Sequence, residues 1–447
     1  MKRLLHVYGD VLRVRPVRTV VAASAAATLG DAAVMVALVL RVHASGTGPW
    51  AVSLLLLCFA LPVVATMGLA GAVADRLDRR RVLVVTGLVQ AAAVAGLVLV
   101  NGLAATCALV LVLQTGFALG QPSWQSVVPT LVPEGEAGRV IALQHGLRGV
   151  AGPAGAGLGG LLAQWGGPSS ALTPALVAFV LLAVAARTLP PSPAAPPSPA
   201  APPSPAAAPS TPAPPRPTRI GGWLATLLPR DGVAALRADP GVGVLVLVLL
   251  PLVVTLESVN VVEVFLLRDV LGASSAQYGL SEAVAGTAAV LGAVAAGLIA
   301  TRVARTRAVL GSVTAIAAGQ LLQGLAPSYL AYVLLAAGLG GLLGVLNAGI
   351  MALLVDELDP TRRGSVFALV GGLSRAGTAF ALLLGGSVGT LAGPRTAYLV
   401  AGAAGLLVAV LAFAVHRSVD GRSTARASRD AVAPATLEAW TRSPSGD

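Results

Sequence analysis

Charge is the scarcest thing in this chain. Only 11% of its 447 residues are Asp, Glu, Lys or Arg, whereas water-soluble domains carry roughly 25%, and that shortfall excludes a soluble globular protein. Lysine is absent after Lys2, so the 30 basic residues behind the net charge of +11 are otherwise all arginine. Aromatic residues make up 4% and are not interleaved with the arginines, which argues against a nucleic-acid partner. The two cysteines, Cys58 and Cys107, both fall within apolar runs, so neither a disulfide framework nor a metal centre is expected. No Gly-rich phosphate loop, His-Glu-x-x-His or Gly-x-Ser-x-Gly pattern occurs, and the nucleotide, zinc and acyl chemistry those patterns support is missing with them. No enzymatic activity and no bound cofactor are expected.

What the chain has instead is apolar residues, 56% of the total. Runs of about 20 of them, the length that crosses ~30 Å of hydrocarbon, recur about twelve times. This is the pattern of an all-α, multi-pass membrane protein. Prolines inside the runs (Pro62, Pro122, Pro153, Pro251) are compatible with spanning helices, because neighbouring helices satisfy the freed backbone groups. Of the 30 basic residues, Arg41, Arg268 and Arg395 fall on one side of the runs, Arg148 and Arg375 fall inside them, and all the others fall on the opposite side. Such a bias puts both termini in the cytoplasm, and so predicts an even number of spans. Between the sixth and seventh runs, Pro190–Pro217 is built almost wholly of Pro, Ala and Ser, an extended spacer that cannot form a core. The expected organisation is a six-helix bundle over 1–189, a cytoplasmic linker with a possible surface helix over 190–240, a second six-helix bundle over 241–416, and a disordered cytoplasmic tail over 417–447.

Two features tie the bundles together. The stretch Gly71-Ala-Val-Ala-Asp75-Arg76-Leu-Asp78-Arg79-Arg80-Arg81 joins the second and third runs, and its four arginines within six residues must lie outside hydrocarbon. A constant shift of 226 residues superimposes the two halves: Gly71 falls on Gly297, Arg76 on Arg302, Gly138 on Gly364, and Gly46 on Gly272. The pattern Gly-x-x-x-Asp-Arg-x-x-Arg-Arg resembles the signature loop between helices 2 and 3 of major facilitator superfamily transporters, whose two parallel repeats enclose a site near the membrane midplane. The resemblance covers nearly the whole chain. Leu29-Gly30-Asp31, the Asp75–Arg81 form of the loop, and Pro129-Thr-Leu-Val-Pro133 with Arg148-Gly-Val-Ala-Gly152-Pro153-Ala-Gly155 look like the bacterial siderophore and macrolide efflux branch. Ala156 occupies one glycine position of the antiporter signature, and Thr301 replaces Asp75 in the second copy of the loop. The resemblance implies a cytoplasmic gate at Gly71, Asp75, Arg76, Arg79 and Arg80, resting on the first copy.

Charges within the spans need their own explanation, since one at the bilayer centre costs ~2.5–3.5 kcal/mol on insertion scales. Asp31 lies halfway along the first run and Glu257 at the equivalent point of the seventh. Both are candidates for proton coupling or cation binding, or else structural groups paired with Arg148 and Arg375. Those two arginines could bind an anionic substrate or serve as counter-ions. Thr28 shares a helix face with Asp31, and Asn260 shares one with Glu257. Gln114, Gln121 and Gln125 align on the fourth run, and the shift maps Gln121 onto Asn347 of the tenth. The resemblance implies that spans 1, 4, 7 and 10 line the pathway, so these residues and Trp124 are candidate cavity groups. Glu263 and Glu282 sit nearer the span ends and are expected to be solvated.

The expected function is secondary active transport: proton-driven export of a small amphipathic or drug-like molecule across the plasma membrane by a monomer, with the proton gradient as energy source. An uptake permease of the same fold is one alternative, and a transport-inactive sensor or scaffold another. An intramembrane protease is disfavoured, because Thr28-Leu-Gly-Asp31 lacks the first glycine of the Gly-x-Gly-Asp motif.

Overall fold

The computed structural model describes residues 14–66, 77–127, 130–132, 136–189, 250–357 and 363–414. The Pro/Ala spacer, the possible surface helix, the tail and the loop residues Gly71, Asp75 and Arg76 lie outside them. Among the described residues there is no strand.

The first half contains α1 (Arg15–Ala44), α2 (Pro49–Ala65), α3 (Arg79–Leu99), α4 (Leu103–Val127), α5 (Ala137–Gly166) and α6 (Thr173–Arg187). The second contains α7 (Leu250–Val261 continuing as Glu263–Val270), α8 (Ser275–Ala296), α9 (Arg302–Gly324), α10 (Tyr329–Glu357), α11 (Arg363–Ala392) and α12 (Pro394–Ala414). Proline in the first turn starts α1, α2 and α6, where its missing N–H has no helical partner to lose. Ser274 and Gln277 close a reciprocal capping box at the start of α8. Eight of these helices are long and apolar enough to cross a membrane alone, nine if the two parts of α7 count as one. The protein is therefore a multi-pass membrane protein. Helices α2, α5 and α9 are not among the nine: α2 has only 17 residues, α5 carries Arg139, Gln144 and Arg148, and α9 carries Arg302, Arg305 and Arg307.

The seventh run departs from a straight span. Helix α7 bends by 43° at Val262, between a single 3₁₀ turn over Val259–Val261 and a π turn over Leu266–Val270. Neither proline nor glycine lies at the bend, and its partner α1 is unbroken.

The repeat is legible in the backbone. Gly46 and Gly272 end α1 and α7 with φ of 70° and 65°, and Gly167 and Gly393, also 226 apart, follow α5 and α11 with φ of 76° and 83°. Such left-handed turns favour glycine. The same shift relates two close approaches between the halves. A Cβ on Gly160 of α5 would lie 2.7 Å from the Cα of Gly279 on α8. The equivalent pair is Gly386 of α11 and Ser53 of α2, where a Cβ would lie 2.6 Å from that of Ser53. Small residues let these backbones touch, as membrane helices require in the absence of a hydrophobic drive between them.

We call the end of the bundle where α1 finishes the distal face and the end where it starts the proximal face. One apolar cluster runs from Val34, Leu38 and Leu55 in the first half through Val262, Phe265 and Leu267 to Tyr332 and Leu382 in the second, joining the halves towards the distal face. A separate cluster, including Leu252, Val313, Leu346, Leu354 and Val370, fills the rest of the second half. Large apolar side chains such as Val85, Leu291 and Val294 point outward, as a lipid-facing belt requires.

Candidate functional site

Helix α1 packs on α5 and α6, and α4 on α2 and α3; side-chain bonds from α4 then reach the predicted polar residues on α1 and α5. Asp31, midway along α1, accepts a hydrogen bond from Gln114 Nε2 of α4 at 2.9 Å. Two turns along the same α4 face, Gln121 Oε1 accepts one from Arg148 Nη2 of α5 at 3.3 Å. One strip of glutamines thus holds an acid at one level and a base at another, and Asp31 is engaged by a neutral amide rather than by Arg148. The hydroxyls below Asp31 are occupied within their own helix: Ser24 donates to Val21 O at 2.9 Å and Thr28 to Ser24 O at 3.0 Å. Of Gln125 only the helical backbone is described.

Beside this strip lies a cavity partly open to solvent, about 300 Å³ counting that open part, of which only about 20 Å³ admits the centre of a water-sized group. Arg148 and Gln121 line it together with Gln90 of α3. Its apolar wall includes Ala27, Phe117, Trp124 and Leu182. Trp124 is only 5% exposed.

In the second half, Glu257 Oε2 accepts from Asn260 Nδ2 at 2.9 Å, one turn along α7. Asn347 of α10 and Arg375 of α11 are exposed on their helices. The candidates of the second half therefore converge less closely than those of the first.

Proximal candidates are held locally. Asp78 caps α3 by accepting from the Arg80 backbone N–H at 3.0 Å. Arg79 Nη1 donates to Ser126 O near the end of α4 at 3.4 Å. Its repeat equivalent, Arg305, pairs with Asp356 near the end of α10. Thr301, standing where the first half has Asp75, caps α9 through the Ala304 N–H at 3.2 Å.

At the distal face, His43 Nε2 of α1 meets Asp269 Oδ1 of α7 at 2.8 Å, and the His43 ring packs on Phe265 with centroids 5.1 Å apart. Ser53 Oγ donates to Leu382 O of α11 at 2.5 Å, and the Ser275 N–H donates to Gln164 Oε1 of α5 at 3.0 Å. These bonds close the distal ends of the two halves on each other.

Glu263 and Glu282 correct an expectation. Instead of solvated ends they form a part-buried cluster with tyrosines. Tyr332 OH lies 2.9 Å from Glu263 Oε1 and 2.8 Å from Tyr398 OH, while Tyr278 is hydrogen-bonded to Glu282, within electrostatic reach of Glu263. Tyr332 and Tyr398 are each 1% exposed. The signal lay in the tyrosines: of five in the chain, Tyr278, Tyr329, Tyr332 and Tyr398 fall near distal span ends of one half. Among the described residues, no group of three or more His, Cys, Asp or Glu could hold a metal ion.

The profile described as the Major Facilitator Superfamily matches residues 20–265 and again 245–444. No curated protein matches the sequence. Solved structures with a similar fold include the nucleoside transporter NupG, 13% identical with a TM-score of 0.67 over 90% of this chain and 98% of that one. A POT family transporter in complex with a thioalcohol-conjugated peptide is 12% identical with a TM-score of 0.66, covering 91% and 96%. A D-xylose–proton symporter is 15% identical with a TM-score of 0.63, covering 89% and 96%.

Proposed function

The chain belongs to the Major Facilitator Superfamily, and from that premise we propose that it is a secondary active transporter exporting a small amphipathic or drug-like molecule against proton entry, by alternating access. The observation that supports this most directly is Asp31. A carboxyl at half depth whose partner is the neutral Gln114 amide can take up or release a proton without breaking an ion pair. Glu257, bonded to the neutral Asn260, is proposed as its counterpart. The arginine bias puts the proximal face and both termini in the cytoplasm of a plasma-membrane protein. With the distal ends in contact, this conformation would load its cargo from the cytoplasm. The gate on that side is assigned to the Gly71–Arg80 loop, with Asp75 and Arg76 acting beside Arg79 and Arg80, and a single copy of the chain suffices.

Proteoliposomes with an imposed pH gradient, loaded in turn with a cationic amphiphile (ethidium) and an anionic one (a radiolabelled naphthalenesulfonate), test the reading. Probe movement opposite to the proton gradient, lost in Asp31→Asn, is the expected result. Movement unchanged by that substitution removes Asp31 from the coupling step. Movement in the direction of proton flow assigns uptake, and a protein that moves no probe is a scaffold.

A further inference from the structure

We propose that the cavity beside Arg148 is a binding subsite for an organic monoanion, a small flat apolar body carrying a carboxylate or an equivalent single negative charge. The proposal names the cargo class for the transport reading above and rests on it, but its test reads binding alone.

Arg148 is the cation of this cavity and has no anionic partner among the described residues. Its Nη2 donates to a neutral amide at 3.3 Å, beyond the usual 2.7–3.2 Å of an N–H···O bond. Its Nε is shielded from solvent and makes no hydrogen bond. Asp31, which could have neutralised it, is taken by Gln114. Arg268 also keeps a buried Nε without a hydrogen bond, but its Nη1 is met by the Ala273 carbonyl, and Arg41 is fully engaged. Arg41 donates to the carbonyls of Leu97 and Val100 at 2.6 and 3.1 Å and to Ser169 Oγ at 3.1 Å, so its charge is spread over helix-end oxygens. A guanidinium left with one long bond inside a membrane bundle is costly unless something charged arrives to meet it. The planar fork of arginine matches a carboxylate through two parallel bonds. An incoming carboxylate would replace the Gln121 contact and bond the Nη end of the guanidinium, the end that is not shielded.

The walls say what else the ligand carries. Trp124 and Phe117 offer ring surfaces and Leu182 and Ala27 offer apolar ones, which suits a flat hydrocarbon body more than a polyol. The recognition is one-sided. In the second half the positions equivalent to Arg148 and Gln121 are Ser374 and Asn347, so the charged end of the ligand belongs in the first half.

The test uses the purified full-length protein in detergent, with 1-naphthoate as anionic probe and 1-naphthamide as its neutral isostere, followed by thermal unfolding. Naphthoate is expected to raise the melting temperature and naphthamide is not. Arg148→Met, which removes an unpartnered cation, should fold at least as stably as the parent without probe, yet bind naphthoate roughly 10- to 100-fold more weakly, the worth of a charged hydrogen bond. Arg148→Lys should fall between them. Ala27→Leu, which fills the cavity and leaves Arg148 intact, should also lose the response and serves if Arg148→Met does not fold. Equal stabilisation by naphthamide, an undiminished response in Arg148→Met or Ala27→Leu, or no response of the parent to naphthoate overturns the subsite. Probe movement in proteoliposomes is scored separately. Transport without a naphthoate response removes only the subsite, and a response without transport removes only the transport reading.

Discussion

His43 and Asp269 occupy the same position in the two repeats, 226 residues apart, and their side chains meet at 2.8 Å across the boundary between the halves. Two equivalent residues can touch only close to the pseudo-twofold axis, so this bond marks where the axis leaves the distal face. Asp269 is 54% exposed, so the bond is a light latch. Removing it with His43→Ala should cost about 0.5–1.5 kcal/mol, the net worth of a typical hydrogen bond, and raise the distal-open population up to about tenfold. With Cys58 and Cys107 replaced by serine, the rate at which an impermeant maleimide labels Ala51→Cys, buried at the distal start of α2, measures it. An unchanged labelling rate would show that the latch bears no part of the closure.

Glycine contacts should separate stability from alternation. A Cβ on Gly155 would sit 2.1 Å from Leu29 O within the first half. Gly155→Ala should therefore lower stability by about 1–3 kcal/mol, the cost of overpacking, read as a drop in melting temperature. Gly160 instead meets Gly279 of the other half. Gly160→Ala should keep the melting temperature closer to the parent and increase maleimide access to the distal face, because opening relieves the clash.

The three arginines on the minority side of the charge bias all serve helix ends. Arg41 reaches Leu97 O and Val100 O, Arg268 reaches Ala273 O, and Arg395 reaches Ala326 O at 3.3 Å. Val100 and Ala326 are repeat equivalents, served from α1 in one half and from α12 in the other. Arg41→Met should leave those carbonyls unsatisfied and cost about 1–3 kcal/mol, with membrane orientation unchanged in a cysteine-accessibility map. A flipped topology would show that the arginines were placed for orientation instead.

The tyrosine cluster predicts non-additivity. Tyr332→Phe strips a partner from both Glu263 and Tyr398 and should destabilise by about 1–3 kcal/mol. Glu263→Gln added to it should cost much less than the two single losses together, as expected for residues in one network. Strict additivity in thermal unfolding would dissolve the network.

How much of this could be read in advance varies residue by residue. Hydropathy anticipated the helices and the 226 shift paired Gly46 with Gly272, because span length and repeat spacing are local properties; the left-handed backbone of the pair came only with the structure. Spacing also put Gln114 and Gln121 on one face of α4. It could not say which partner each would hold, since that depends on how α4 is rotated as it packs on α2 and α3. The Glu263 cluster was missed because α7, α8, α10 and α12 meet there at long sequence separation. The bend at Val262 leaves no proline or glycine to announce it.

Helix α7 is broken where α1 is whole, and the break sits between Glu257 and Glu263. The two bundles are therefore unequal levers. A kinked rod can swing its outer segment while its inner segment stays seated, whereas an intact one must tilt from end to end. Any rocking of the repeats would load their first helices differently, α7 at its bend and α1 along its whole length.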